Sequence, residues 1–132
     1  MSRSRPVIRG TIVFLVLGLV VSSAMAASLH LRLTKSYPQQ DQVLAAAPDS
    51  VRLWFSEDPE FALSAIGIEG VNGKIDMAKV EKTDDATSFK AQVMGDLSPG
   101  KYRVTWRTAG SDGHAIRGRY DFEVRAEGQK PR

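Results

Sequence analysis

Tyr120-Asp121-Phe122-Glu123-Val124-Arg125 alternates apolar and charged side chains without interruption. Successive side chains of an extended chain point to opposite faces, so Tyr120, Phe122 and Val124 share one face while Asp121, Glu123 and Arg125 share the other. The same period of two governs Val51-Arg52-Leu53-Trp54-Phe55, where Val51, Leu53 and Phe55 oppose Arg52 and Trp54. Both segments predict half-buried β-strands whose apolar sets line a core.

Working outward, stretches rich in β-branched and aromatic residues recur at roughly ten-residue intervals between turn signals. They predict strands over Leu31–Ser36, Val51–Ser56, Leu63–Glu69, Gly73–Val80, Thr87–Val93, Lys101–Thr108 and Ile116–Arg125. Helical periodicity is nearly absent. Seven short strands of this kind predict an all-β fold, a Greek-key sandwich of immunoglobulin-like build. Gln39-Gln40-Asp41, Ala47-Pro48-Asp49-Ser50, Val71-Asn72-Gly73 and Ser98-Pro99-Gly100 supply the turns, with Asn72-Gly73 pointing to a tight hairpin. Leu97-Ser98-Pro99-Gly100-Lys101-Tyr102 has the form of a tyrosine corner, which makes Tyr102 structural.

Ahead of the strands stand Arg3, Arg5 and Arg9, an apolar run from Thr11 to Val21, and Ser22-Ser23-Ala24-Met25-Ala26. This is the pattern of a secretory signal peptide over residues 1–26, cleaved after Ala26 and lacking a twin arginine, so the general secretory route is expected. It leaves residues 27–132 as one domain, whose tail from Ala126 onward should fray. Removing the three leader arginines from the 18 Lys and Arg leaves 15, against 15 Asp and Glu. The mature domain is thus formally neutral, and with no cationic stripe nucleic-acid binding is disfavoured. The chain has no cysteine, which excludes disulfides, thiolate metal sites and a cysteine nucleophile.

Metal chemistry has one place to form. The chain carries two histidines, and His114 lies in Ser111-Asp112-Gly113-His114. On extended backbone Asp112 and His114 converge, at the end of a strand in which Tyr102, Val104 and Trp106 share a face. His30, just before the first strand, would supply a third ligand. Two imidazoles and a carboxylate suit Cu(II), Ni(II) or Zn(II), with Cu(II) favoured by affinity order. The competing reading is a plain Asp112-Gly113 turn with both histidines solvated. Glu57 and Asp58 diverge as neighbours and read as a solvated turn, Trp54 and Trp106 as packing residues, and no nucleophile or phosphate-loop motif is present.

His30-Leu31-Arg32-Leu33, Ser36-Tyr37-Pro38, Leu53-Trp54-Phe55-Ser56-Glu57, Pro99 to Arg107, and Ser111-Asp112-Gly113-His114-Ala115-Ile116-Arg117-Gly118 together resemble the CopC family of periplasmic copper-binding proteins, in order and across nearly all of the mature chain. The resemblance implies a seven-stranded sandwich or barrel of cupredoxin-like or immunoglobulin-like build that carries or sequesters copper in the periplasm. It implies Cu(II) held by His30, Asp112 and His114, with Glu57 as a carboxylate just outside the ligands that orients one of them. A separate copper-transporting membrane protein is the implied partner, and no enzymatic role follows.

Two departures stand out. Between Leu63 and Ala91 only Met77 occurs, so the methionine-rich Cu(I) loop of some relatives has no counterpart and a Cu(II) protein is implied. In well-known relatives the first histidine is the amino terminus, whereas cleavage after Ala26 leaves Ala27-Ser28-Leu29 before His30. Cleavage after Ala27 is the second choice and would create a Ser-Leu-His chelate. The rival functions are a metal-free immunoglobulin-like interaction module and an oxidative copper enzyme, the latter requiring His30 as the terminus.

Overall fold

The computed structural model describes residues 30–126. The expected signal peptide over residues 1–26, the Ala27–Leu29 segment that would follow it and nearly all of the tail lie outside the described residues. Among the described residues nine strands run in the order β1 (Leu33–Tyr37), β2 (Val43–Leu44), β3 (Ser50–Phe55), β4 (Ala65–Gly70), β5 (Gly73–Ile75), β6 (Glu81–Lys82), β7 (Ser88–Gln92), β8 (Gly100–Ala109) and β9 (Ala115–Val124). One sheet has the order β1-β3-β7-β6 and the other β2-β9-β8-β4-β5. All pairings are antiparallel except β2 with β9.

The all-β sandwich expected from the alternation is the fold observed. Val51, Leu53, Phe89, Ala91 and Val104 are fully buried between the sheets, and Phe55, Tyr120, Phe122 and Val124 are nearly so. Aromatic pairs strengthen each sheet, Phe55 stacking on Phe89 at 5.2 Å and Tyr102 on Phe122 at 5.6 Å, and Trp106 ties the two layers by meeting Phe55 edge-on at 5.4 Å. The Trp106 indole needs Gly118 opposite it, because a Cβ there would lie 2.4 Å from the ring. On the outer face Trp54 is clasped between Lys35 and Arg52, at 4.7 and 4.5 Å, so both tryptophans pack as expected. Tyr102 donates its hydroxyl hydrogen to the Ser98 carbonyl at 2.5 Å, completing the tyrosine corner.

Several boundaries differ from expectation for identifiable reasons. The two additional strands, β2 and β6, are two residues long and carry no periodicity to read. Leu63 belongs to a short 3-10 turn, Phe61–Leu63, and is half exposed, so β4 begins only at Ala65. The strand expected over Gly73–Val80 stops at Ile75. There the Asp76 carbonyl accepts from the amides of Met94 and Gly95, and Met77 bridges to Val93, which carries the chain from one sheet to the other. The hairpin loop is Val71-Asn72, closed by Gly70 opposite Gly73, whose φ of 111° requires glycine.

The buried Tyr120 hydroxyl has no hydrogen-bond partner among the described residues. Burial pushes its pKa up to about 12; Ser36 offsets part of this but stands outside hydrogen-bond geometry.

Candidate metal centre

β8 and β9 pair without a slip as far as Ala109 opposite Ala115, so the loop from Gly110 to His114 projects from the longest hairpin among the described residues. Its form follows from its residues. Gly113 has φ of 79°, a left-handed conformation that favours glycine, and its amide donates to the Gly110 carbonyl at 2.9 Å. Asp112 Oδ1 accepts from the His114 amide at 3.0 Å, the local bond through which Asp stabilises turns.

The second carboxylate oxygen, Oδ2, lies 3.0 Å from His114 Nδ1. One side chain thus sets both the loop and the ring. Contact with a carboxylate assigns the proton to Nδ1 and leaves Nε2 as the free acceptor in the neutral ring. The His114 amide bond, then its ring bond, then the charges of His114 and His30 hold the Asp112 carboxyl below its ordinary pKa. Asp112 is therefore anionic throughout the neutral range.

His30 reaches the same place. Its ring centre is 6.3 Å from that of His114, with the planes at 85°. Long-range contacts hold it there. Leu31 is buried, and its Cβ lies 3.5 Å from where a Cβ on Gly110 would stand. Arg32 exchanges two bonds with Ser56, its amide donating to Oγ at 3.1 Å and its carbonyl accepting from the Ser56 amide at 2.9 Å. The Glu60 amide donates to the Ala109 carbonyl at 2.8 Å, fastening the loop after β3 to the hairpin. Leu31, Ser56 and Gly110 are positioning residues that the sequence reading did not single out; Gly110, beside the Asp112-x-His114 pair, was the one with a local signal.

Glu57 stands exposed in that same loop, with no hydrogen bond or ion pair among the described residues, and Asp58 is exposed beside it. Among the described residues, no three His, Asp or Glu side chains already stand in ligating geometry. The structure joins Asp112 to His114 and brings His30 within reach, but it does not join Glu57 to them.

The spacings suit an ion. With bonds of about 2.0 Å, nitrogen and oxygen ligands at right angles on one metal are separated by about 2.9 Å. The 3.0 Å gap between Asp112 Oδ2 and His114 Nδ1 is of that size, so a metal can replace the proton they share. Two imidazoles on opposite sides of the same ion have centroids about 6.2 Å apart, close to the His30 and His114 separation, although the edge-on rings must first turn. The His114 side chain is 77% exposed and that of Asp112 44%, which leaves room for the turn.

Comparisons with known proteins fall on the same chain segment. The family described as CopC domain matches residues 33–125. Copper resistance protein C of Escherichia coli is 35% identical over 116 residues, covering 82% of this chain and 91% of that protein. Among solved structures, CopC from Methylosinus trichosporium OB3b superimposes with a TM-score of 0.68 at 28% identity, over 77% of this chain and all of that one. PcoC from Escherichia coli, described as a methionine-rich copper resistance protein, superimposes with a TM-score of 0.65 at 33% identity, over 73% of this chain and 99% of that one.

Proposed function

Because the chain belongs to the CopC family, we propose that it is a periplasmic Cu(II)-binding protein that carries or sequesters copper in copper homeostasis and resistance. The observation that carries this reading is the Asp112 and His114 pair, spaced at 3.0 Å on a rigid hairpin end with His30 facing it. Copper is cargo here, not a reagent. A nitrogen-rich set with one carboxylate suits the tetragonal preference of Cu(II). Asp112 neutralises part of the ion's charge, and its bond to the His114 amide keeps the carboxylate aimed when the ring proton leaves. Glu57, on the neighbouring loop, is proposed as an outer carboxylate that steadies a bound histidine.

Export rests on the leader over residues 1–26, and a separate copper-transporting membrane protein is the proposed partner. The role is binding without turnover. Cu(II) titration of the secreted protein should give one tight site with mixed nitrogen and oxygen coordination in electron paramagnetic resonance. Unchanged binding after His114→Ala would refute the assignment. Intact mass of the secreted chain gives the cleavage point, expected after Ala26.

A further inference from the structure

The outer face of the five-stranded sheet concentrates positive charge at its hairpin end. Register places Arg107 directly opposite Arg117, and Arg119 opposite Thr105 one step further along β9. Side chains opposite one another have Cβ atoms about 5 Å apart and diagonal neighbours lie about 7 Å apart, so the three guanidinium groups share one small area. All three are exposed, and none forms an ion pair or side-chain hydrogen bond among the described residues. On the adjoining strand β4 the neighbours are Ala65 beside Arg107 and Gly67 beside Thr105, which offer no carboxylate. The nearest acids on this face, Asp121 and Glu69, sit one step beyond, where Asp121 binds Arg103 through both oxygens at 2.8 and 3.1 Å.

Like charges directly opposite one another in a sheet are destabilising. The fold nonetheless keeps Arg107 and Arg117 together, at the end of the hairpin next to the Gly110 to His114 loop. We propose that Arg107, Arg117 and Arg119 form a docking surface for an acidic protein segment in extended conformation. Carboxylates at every second position of such a segment repeat at about 6.8 Å, the spacing of Arg117 and Arg119, and guanidinium groups bind carboxylates in a two-pronged fashion. A membrane surface fits less well. Polybasic lipid contacts use four to eight clustered cations, whereas here Glu69, Asp121 and Glu123 interleave with the basic residues and would face the anionic plane. The proposal stands independently of any metal at Asp112 and His114.

The probe is a synthetic peptide with glutamate at every second position, titrated into the isotope-labelled secreted protein at low salt. Amide shifts should move at Ala65 to Gly67, Thr105 to Arg107 and Arg117 to Arg119, and the binding should weaken steeply with added salt. The double variant Arg117→Glu, Arg119→Glu should bind at least tenfold more weakly, while Lys35→Glu, on the outer face of the four-stranded sheet, should bind as the parent does. Arg117→Glu alone should raise Tm, since a carboxylate then faces Arg107. Shifts elsewhere, binding indifferent to the double variant, association with phosphatidylglycerol vesicles but not with the peptide, or a lowered Tm for Arg117→Glu would each overturn the proposal.

Discussion

Replacing Tyr120 by phenylalanine should stabilise the protein, and by more at high pH than at neutral pH. The side chain is 6% exposed and its hydroxyl has no hydrogen-bond partner among the described residues. A buried polar group left unbonded costs about 1–3 kcal/mol, so removing this one while keeping the ring should gain about 1 kcal/mol at pH 7. The pH dependence follows from the phenol. Its pKa is about 12 in the fold, against about 10 in an unfolded chain. A raised value means that the fold favours the neutral form. That contribution is complete below pH 10 and is lost as the pH climbs toward 12. A two-unit difference corresponds to about 2.7 kcal/mol in full, of which about 2 kcal/mol is lost by pH 11.5. Phenylalanine has no proton to lose, so the Tyr120→Phe advantage should grow from about 1 to about 3 kcal/mol between pH 9 and pH 11.5. Urea denaturation of both proteins at matched pH measures it, with other titrating groups cancelling in the difference. An advantage that stays constant with pH, or a less stable phenylalanine variant at pH 7, would refute the reasoning.

Other substitutions test the remaining links. Gly110→Ala places a methyl 3.1 Å from Asp112 Oδ1 and close to Leu31, so Cu(II) affinity in a competition titration should fall about tenfold, near 1.4 kcal/mol, while circular dichroism stays unchanged. Tyr102→Phe removes the bond to the Ser98 carbonyl and should lower unfolding free energy by about 1–2 kcal/mol; no change in the urea midpoint would show that the corner is ornamental. Gly118→Ala drives a methyl into the Trp106 indole and should cost about 1–3 kcal/mol as overpacking does, with a red-shifted tryptophan emission reporting the displaced ring.

Strands β8 and β9 were legible because each keeps its alternation for the full length of a half-buried strand, and a period of two admits one assignment of faces. The exit of β5 was not. Alternation continues through Asp76 and Met77, and what turns the chain there is the Asp76 carbonyl receiving two amides from a segment 18 and 19 residues away. At the site, Asp112 and His114 were legible together because an aspartate bonding the amide two residues on is a local event, and Gly113 permits it. Glu57 had no such local partner, and its place beside the hairpin comes from the bonds of Ser56 and Glu60.

Determined by the sequence alone are the two-faced strands, the balance of acids and bases over residues 27–132, the lack of thiol chemistry and the carboxylate-imidazole pair, since each depends on side-chain identity and not on long-range contacts. Tertiary structure decided the rest. His30 stands beside His114 because Leu31 is buried against Gly110 and Arg32 is bonded to Ser56, contacts that span most of the chain. Arg107 faces Arg117 because ten consecutive β8 and β9 pairs hold their register, and a slip of one residue would have separated those charges onto opposite faces.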